Sequence, residues 1–186
     1  MIVVVNDANI LIDLIKLQLV EAFFNINWEF HSTNLIIENE LYDEQKEQLQ
    51  PYINNGKLII QELDVEDMIS IVNIQVQKPQ LSDKDCSALH CAKKLNASLV
   101  TSDNTLRKFA KTKKVDVHGH LWVFDALLEN NCITPQIAIS KLNELNTINS
   151  KLNLPKKDCE ARIEMWLNQA HQDNPKNQDS DNLNTI

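Results

Sequence analysis

The segment Leu81–Ala110, LSDKDCSALHCAKKLNASLVTSDNTLRKFA, constrains this chain most, because it joins a carboxylate-bearing helix to a strand that ends in another carboxylate. Ser82 is a good helix N-cap, and Asp83 and Asp85 fill the acidic first turn that a helix dipole favours. Asp85, Ala88, Leu89, Ala92 and Leu95 follow at three- and four-residue steps and so share one face. A carboxylate on an otherwise apolar face demands a partner. Ala97–Thr101 reads as a short buried strand, and Asp103 follows its C-terminal end. Open α/β sheets bind ligands beyond the carboxyl ends of their strands. Two carboxylates therefore point at one rim.

Earlier in the chain, Ile2–Val5 is a continuous run of mainly β-branched residues, as expected of a strand buried on both faces. It ends in Asn6-Asp7-Ala8-Asn9, which sets Asp7 at another strand end, where capping the next helix is its plainest role. Leu17–Phe24 predicts a short apolar helix and Trp28–Ser32 a second strand. Thr33 or Asn34 caps a helix over Leu35–Tyr42; Glu40 shares its face with Ile36, and Asp43 falls on the same side. Spacing alone does not separate Glu40 from Asp43.

Glu44–Ile53 predicts a surface helix ended by Asn54-Asn55-Gly56, and Lys57–Leu63 a third strand. Val65, Met68, Ile69, Val72 and Val76 form a helical stripe expected to pack on the sheet. Val115–His118 predicts a last strand, and His118 and His120 are expected to be ordinary loop histidines, since no third metal ligand stands at matching spacing. Leu121–Leu128 predicts a buried helix; Pro135 starts another with Ile137, Leu142 and Leu145 inward, and after Pro155 the residues Ile163, Trp166, Leu167 and Ala170 line up. The alternation of strand and helix predicts an α/β fold: a three-layer α/β/α sandwich on a parallel sheet of four to five strands. The expected organisation is a core over residues 1–120, helices over 121–171 packed on it as an extension, and a disordered tail over 172–186 rich in Asn, Asp and Gln.

Two glycines are too few for glycine-rich phosphate loops, which excludes P-loop and dinucleotide-binding proteins. No apolar run of membrane-spanning length occurs, no basic region precedes the N-terminal apolar stretch, and four cysteines lack paired spacing. A cytoplasmic protein with free thiols is expected. The net charge of −8 disfavours general nucleic-acid binding, yet Lys93–Lys114 holds seven basic residues and one acid, a local +6. Within that window Arg107, Lys108 and Lys111 are the candidates for contact with a polyanion, although a solvated helix face explains the lysines equally well.

LSDKDCSALHCAK followed by LVTSDNTLRKFA is similar to the second half of a PIN-domain nuclease, with its Asp-x-x-x-Leu-x-x-Ala helix and its Thr-x-Asp-x-x-Leu-Arg strand end. The first half of that pattern, Asp-x-Asn after a strand and Glu-Leu in a helix, corresponds to Asp7–Asn9 and Glu40–Leu41. The resemblance covers roughly the first 120 residues. It selects Glu40 over Asp43 and implies a catalytic set of Asp7, Glu40, Asp85 and Asp103. It further implies an endoribonuclease dependent on Mg²⁺ or Mn²⁺ whose products carry 5′-phosphate and 3′-hydroxyl ends. Single-domain members of this size look most like VapC-type toxins, which implies RNA as substrate, a small antitoxin as partner and a homodimer.

Hard cations prefer carboxylate oxygens, and converging carboxylates need a cation or a proton between them. On this reading Asp7 and Asp103 hold the metal, Asp85 completes its shell and Glu40 positions or deprotonates the attacking water. Asn9, Thr101 and Ser102 support the carboxylates or touch the phosphate. Three alternatives stand beside it. One is an RNA-processing PIN nuclease outside toxin–antitoxin systems, and another is a PIN-like interaction module without catalysis. The third is a haloacid-dehalogenase phosphatase, which Asn9 disfavours because that chemistry places a second carboxylate there.

Overall fold

The computed structural model describes residues 1–149 and 152–172. The predicted tail lies, beyond Gln172, outside the described residues. The chain divides into two units, Met1–Cys132 and Ile133–Ile186.

The first unit is a five-stranded parallel sheet in the order β3-β2-β1-β4-β5, formed by β1 (Ile2–Asn6), β2 (Trp28–Thr33), β3 (Leu58–Gln61), β4 (Ser98–Val100) and β5 (Val117–His118). Every pairing is parallel, as strands linked by helices require. Its helices are α1 (Ala8–Lys16), α2 (Val20–Phe24), α3 (Asn34–Glu40), α4 (Asp43–Asn54), α5 (Val65–Gln77), α6 (Asp83–Lys94), α7 (Asn104–Thr112) and α8 (His120–Glu129). The expected α/β sandwich with a central parallel sheet is therefore the observed fold. The second unit contains α9 (Pro135–Ile148) and α10 (Lys156–Gln172).

Strand β1 lies in the middle because its β-branched residues suit burial on both sides. Val4 and Val5 are fully buried, and each such side chain contributes about 1.5–3 kcal/mol. One face of the sheet is covered by α6, whose Cys86, Ala88, Leu89, Cys91 and Ala92 join Val5, Leu99, Leu106 and Val117 in a single core cluster. Elsewhere Phe23, Phe24, Trp28 and Phe30 pack with ring centroids 4.8 to 6.3 Å apart. With few glycines available, Gln18, Asn96, Lys114 and Asn131 take the left-handed backbone at or just beyond the ends of α1, α6, α7 and α8, where glycine is the usual choice.

Four expectations need correction. Helix α3 stops at Glu40 because Leu41 turns to extended backbone, so the helical spacing that put Asp43 beside Glu40 does not continue; the Asp43 side chain is 97% exposed. The apolar stripe of α5 faces outward, and Asp67, Ile71 and Ile74 form the buried face instead. In the second unit Leu142, Leu145 and Trp166 are buried, whereas Ile137 and Leu167 are exposed. Neither histidine is a loop residue. His118 sits in β5, stacks on Trp122 at 3.9 Å and bonds Asp116; His120 opens α8, is buried, and sets Nε2 3.0 Å from Asp13 Oδ2.

Candidate active site

The carboxyl ends of β1 and β4 lie side by side, and Asp7 N donates to Val100 O across them at 3.0 Å. Asp7 follows β1 directly and, only 2% exposed, caps α1: its Oδ1 accepts from Ala8 N at 2.8 Å. Its Oδ2 accepts from Asn9 Nδ2 at 2.7 Å and from the Thr101 hydroxyl at 2.6 Å. Asn9 Oδ1 in turn accepts from Ser102 N at 3.2 Å. Asn9, Thr101 and Ser102 thus form one hydrogen-bonded cradle around Asp7. Asp7 performs the capping that is its plainest role, while its second oxygen is held by Asn9 and Thr101.

Asp103 is joined to the same cradle, since its N–H donates to Thr101 Oγ1 at 3.1 Å. Its carboxylate caps α7, with Oδ1 accepting from Leu106 N at 2.6 Å. Asp85 occupies the third position of α6 and forms a reciprocal capping box with Ser82. Its Oδ2 accepts from Ser82 N and Oγ, each at 2.8 Å, and its own N–H donates to Ser82 Oγ. The partner that Asp85 demanded is therefore Ser82, three residues away, a local signal that the spacing Ser-x-x-Asp carried in the sequence. Glu40 ends α3, whose N-cap Thr33 bonds Ser87 of α6 at 2.8 Å and so ties α3 to the helix that bears Asp85.

The electrostatics bind three of the four acids together. Burial is the chief reason that the Asp7 carboxyl is pushed up to about 7, opposed by the Thr101 hydrogen bond and reinforced by the charges of Asp85 and then Glu40. Glu40 is raised too, by burial and by Asp85, with Lys84 pulling the other way. Lys84, beside Asp83 at 3.0 Å, is the cation at this rim that sequence reasoning missed; it stands between two acids in Asp83-Lys84-Asp85. Asp103 enters the arrangement through Thr101.

The basic window divides between the two ends of its helices. Lys93 and Lys94 lie in the last turn of α6, and Lys111, Lys113 and Lys114 at or just past the last turn of α7. There the negative ends of the helix dipoles account for them. These are the far ends of α6 and α7 from Asp85 and Asp103. Lys108 is exposed, and Arg107 donates from Nη1 to Thr101 O at 2.9 Å.

An all-oxygen set of acids with one buried, proton-hungry member fits a hard divalent cation in its chemistry. Its geometry is not that of a finished ligand shell: among the described residues no three of His, Cys, Asp or Glu stand placed to clasp a metal ion. One oxygen of each of two acids is taken up in capping, Asp85 Oδ2 by Ser82 N–H and Oγ and Asp103 Oδ1 by Leu106 N–H. The cysteines are all free, with the Cys86 and Cys91 thiols pushed up by burial to about 11 and about 12, so neither serves as a nucleophile. No helix among the described residues is long and apolar enough to cross a membrane.

Two solved structures resemble the chain over nearly the full length of their own. The VapBC2 complex of Rickettsia felis, bound to a DNA fragment from its promoter, aligns at 15% identity and a TM-score of 0.44, over 63% of this chain and 98% of that one. FitAcB from Neisseria gonorrhoeae aligns at 12% identity and a TM-score of 0.42, over 64% and 98%. A search of the curated proteins finds no match. The family model described as a PIN domain, DUF3368, matches residues 3–163, a span that holds β1 from Val3, the other four strands whole and all four carboxylates. The chain belongs to the PIN-domain family.

Proposed function

We propose that this protein is a metal-dependent endoribonuclease that hydrolyses RNA phosphodiester bonds at the rim of Asp7, Glu40, Asp85 and Asp103. The observation that carries the reading is Asp7. A carboxylate 2% exposed, raised to about 7 and flanked by two further acids, is a poor structural choice and a good cation ligand. Asp7, Asp85 and Asp103 would hold Mg²⁺ or Mn²⁺. When bound, such an ion neutralises charge on the phosphoryl oxygens and makes a water more acidic. Asn9 and Thr101 fix the orientation of Asp7 and leave it no freedom to turn away. Glu40, half-exposed with a raised carboxyl, is suited to take a proton from the attacking water. Lys84, whose charge acts on Glu40, and Arg107, which bonds Thr101 O, are the candidate cations for the developing charge.

We further read the protein as a cytoplasmic toxin held by a small antitoxin, with the nuclease core in residues 1–120 and the later helices as an extension. The support is the motif resemblance and the family. Co-purification with the product of an adjoining short gene tests it. A PIN-like interaction module without catalysis is the second reading, favoured by the capping commitments of Asp85 and Asp103. The deciding experiment is cleavage of labelled single-stranded RNA with Mn²⁺, Mg²⁺ or EDTA, beside Asp7→Asn and Asp103→Asn. Cutting that needs metal and vanishes in both variants is expected. Cutting that survives both variants refutes the site, and no cutting with either metal favours the interaction module.

A further inference from the structure

Tyr42 is a poor structural choice where it stands. It is the N-cap of α4, with φ −71° and ψ 158°, the extended backbone that suits a cap, yet its side chain makes no capping hydrogen bond. Thr33, Ser82 and Thr134 each satisfy a backbone N–H of their own helices from the same position. The Tyr42 ring is also 78% exposed, whereas every other aromatic ring among the described residues is buried or partly buried. A large exposed ring where a small polar residue belongs breaks two local rules at once, and such breaches collect at functional sites.

The backbone fixes this ring beside Glu40. Leu41 is extended and 5% exposed, so it pins the joint to the core, and Tyr42 N donates to Gln45 Oε1 at 3.0 Å. Side chains alternate along extended backbone, so with Leu41 turned inward Tyr42 turns outward, about 7 Å along the chain from Glu40. The rim itself is acidic, and the lysines that end α6 and α7 lie away from it, which leaves little charge there to hold a phosphate backbone.

We propose that Tyr42 is the stacking platform for one unpaired nucleobase of an RNA strand whose scissile phosphate sits at the rim. The proposal rests on the nuclease reading and adds the form of the substrate, single-stranded at the cut, because bases stacked within a duplex offer no free face. Every base has a π face, so Tyr42 fixes the position of a nucleotide and not its identity. A neutral ring gives affinity that the surrounding acids do not oppose. A protein partner suits the position less well: the exposed chain neighbours Glu38, Asn39, Asp43 and Glu44 are all polar, so the ring stands alone and not within an apolar patch.

The test is steady-state cleavage of labelled single-stranded RNA by the full chain in Mn²⁺ or Mg²⁺, beside Tyr42→Ser and Tyr42→Phe, with the RNA made abasic at one nucleotide after another. Tyr42→Ser is expected to raise KM about 5- to 100-fold with kcat unchanged, and Tyr42→Phe to leave both as they are. One abasic position near the cut should weaken the wild type by a similar factor and have no further effect on Tyr42→Ser. The serine also supplies the missing cap, so its melting temperature should rise by about 2–4 °C, which separates a lost contact from a lost fold. A wild type that cuts, beside a Tyr42→Ser of equal KM, overturns the stack and leaves the nuclease reading standing; an abasic penalty shared by both proteins does the same. A wild type that cuts no RNA with either metal overturns the nuclease reading and the stack with it. If Tyr42→Ser is unchanged toward RNA but releases a protein that the wild type holds, the ring belongs to a protein interface and the proposal falls.

Discussion

Replacing Asp7 by Asn should make the protein more stable at alkaline pH while ending its activity. Burial pushes the folded carboxyl up to about 7, where an ordinary aspartate sits at 3.8. That gap of about 3 pK units, at about 1.4 kcal/mol each, amounts to roughly 4 kcal/mol of destabilisation once the group is fully ionised. The sign is opposite to that of an ordinary salt-bridged acid. Between pH 3.8 and 7 the folded chain keeps a proton that the unfolded chain has released, so stability falls as pH rises through that window. About 2–3 kcal/mol of the loss falls between pH 5 and pH 8. Asparagine carries no charge and does not titrate there. It still accepts from Ala8 N, but its amide must meet Asn9 Nδ2 and the Thr101 hydroxyl where an oxygen stood, a cost of about 1–2 kcal/mol. The variant is thus expected to be near the wild type at pH 5 and about 2–3 kcal/mol above it at pH 8. Urea denaturation in EDTA at both values measures the difference. Mg²⁺ or Mn²⁺ at pH 8 should then stabilise the wild type and leave Asp7→Asn unmoved. Parallel pH dependence in the two proteins would refute the reasoning, because it would mean that Asp7 is ionised without penalty.

Three further outcomes follow from the same geometry. Asp103→Ala should lose about 1 kcal/mol of thermal stability with its N-cap while Asp103→Ser, which can still cap, should lose only a few tenths; both should abolish RNA cleavage, which separates capping from chemistry. At Gly119 an added Cβ would lie 2.8 Å from Arg107 Nη1, so Gly119→Ala should displace the guanidinium from Thr101 O and cost about 1 kcal/mol; the effects of Gly119→Ala and Arg107→Ala on melting should not add. Asp67→Ala should cost about 2–3 kcal/mol at pH 7 by freeing His90 and Lys94. The bonds to Lys94 and His90 hold the Asp67 carboxyl down to about 2, so its contribution is present above pH 3.8 and disappears as pH falls through 2; denaturation at pH 2 should no longer distinguish the two proteins.

The strands were legible because each is a short apolar run between turn residues, and the parallel sheet followed from strict alternation with helices. Among the candidate site residues, Asp7 and Asp103 were legible as acids after strands. What periodicity could not show was what covers a face. The α5 stripe looked like a core face since exposed and buried apolar seams have the same spacing, and only the outer position of the helix separates them. The Asp43 error has the same origin, for a helical projection holds only while the backbone stays helical. The lysines failed differently: nearness along the chain set them beside the carboxylates, whereas helix length carries them to the far end. The pairing of His120 with Asp13 joins residues from opposite ends of the first unit, and no local pattern announces it.

The order of the sheet also governs when activity can arise during synthesis. Strand β1 is made first, yet it lies between β2 and β4, and its Asp7 depends on a hydroxyl 94 positions further along. A nascent chain shorter than about 103 residues exposes one side of β1 as an unpaired edge and lacks both Thr101 and Asp103. Such a chain can hold Asp7, Glu40 and Asp85, but it lacks the Thr101–Asp103 side of the rim and, of the cradle that orients Asp7, has only Asn9. Truncated products and early proteolytic fragments should accordingly be inert rather than weakly active. On the proposed nuclease reading, the chain is thereby kept harmless to the RNA around it until more than half of it has been made.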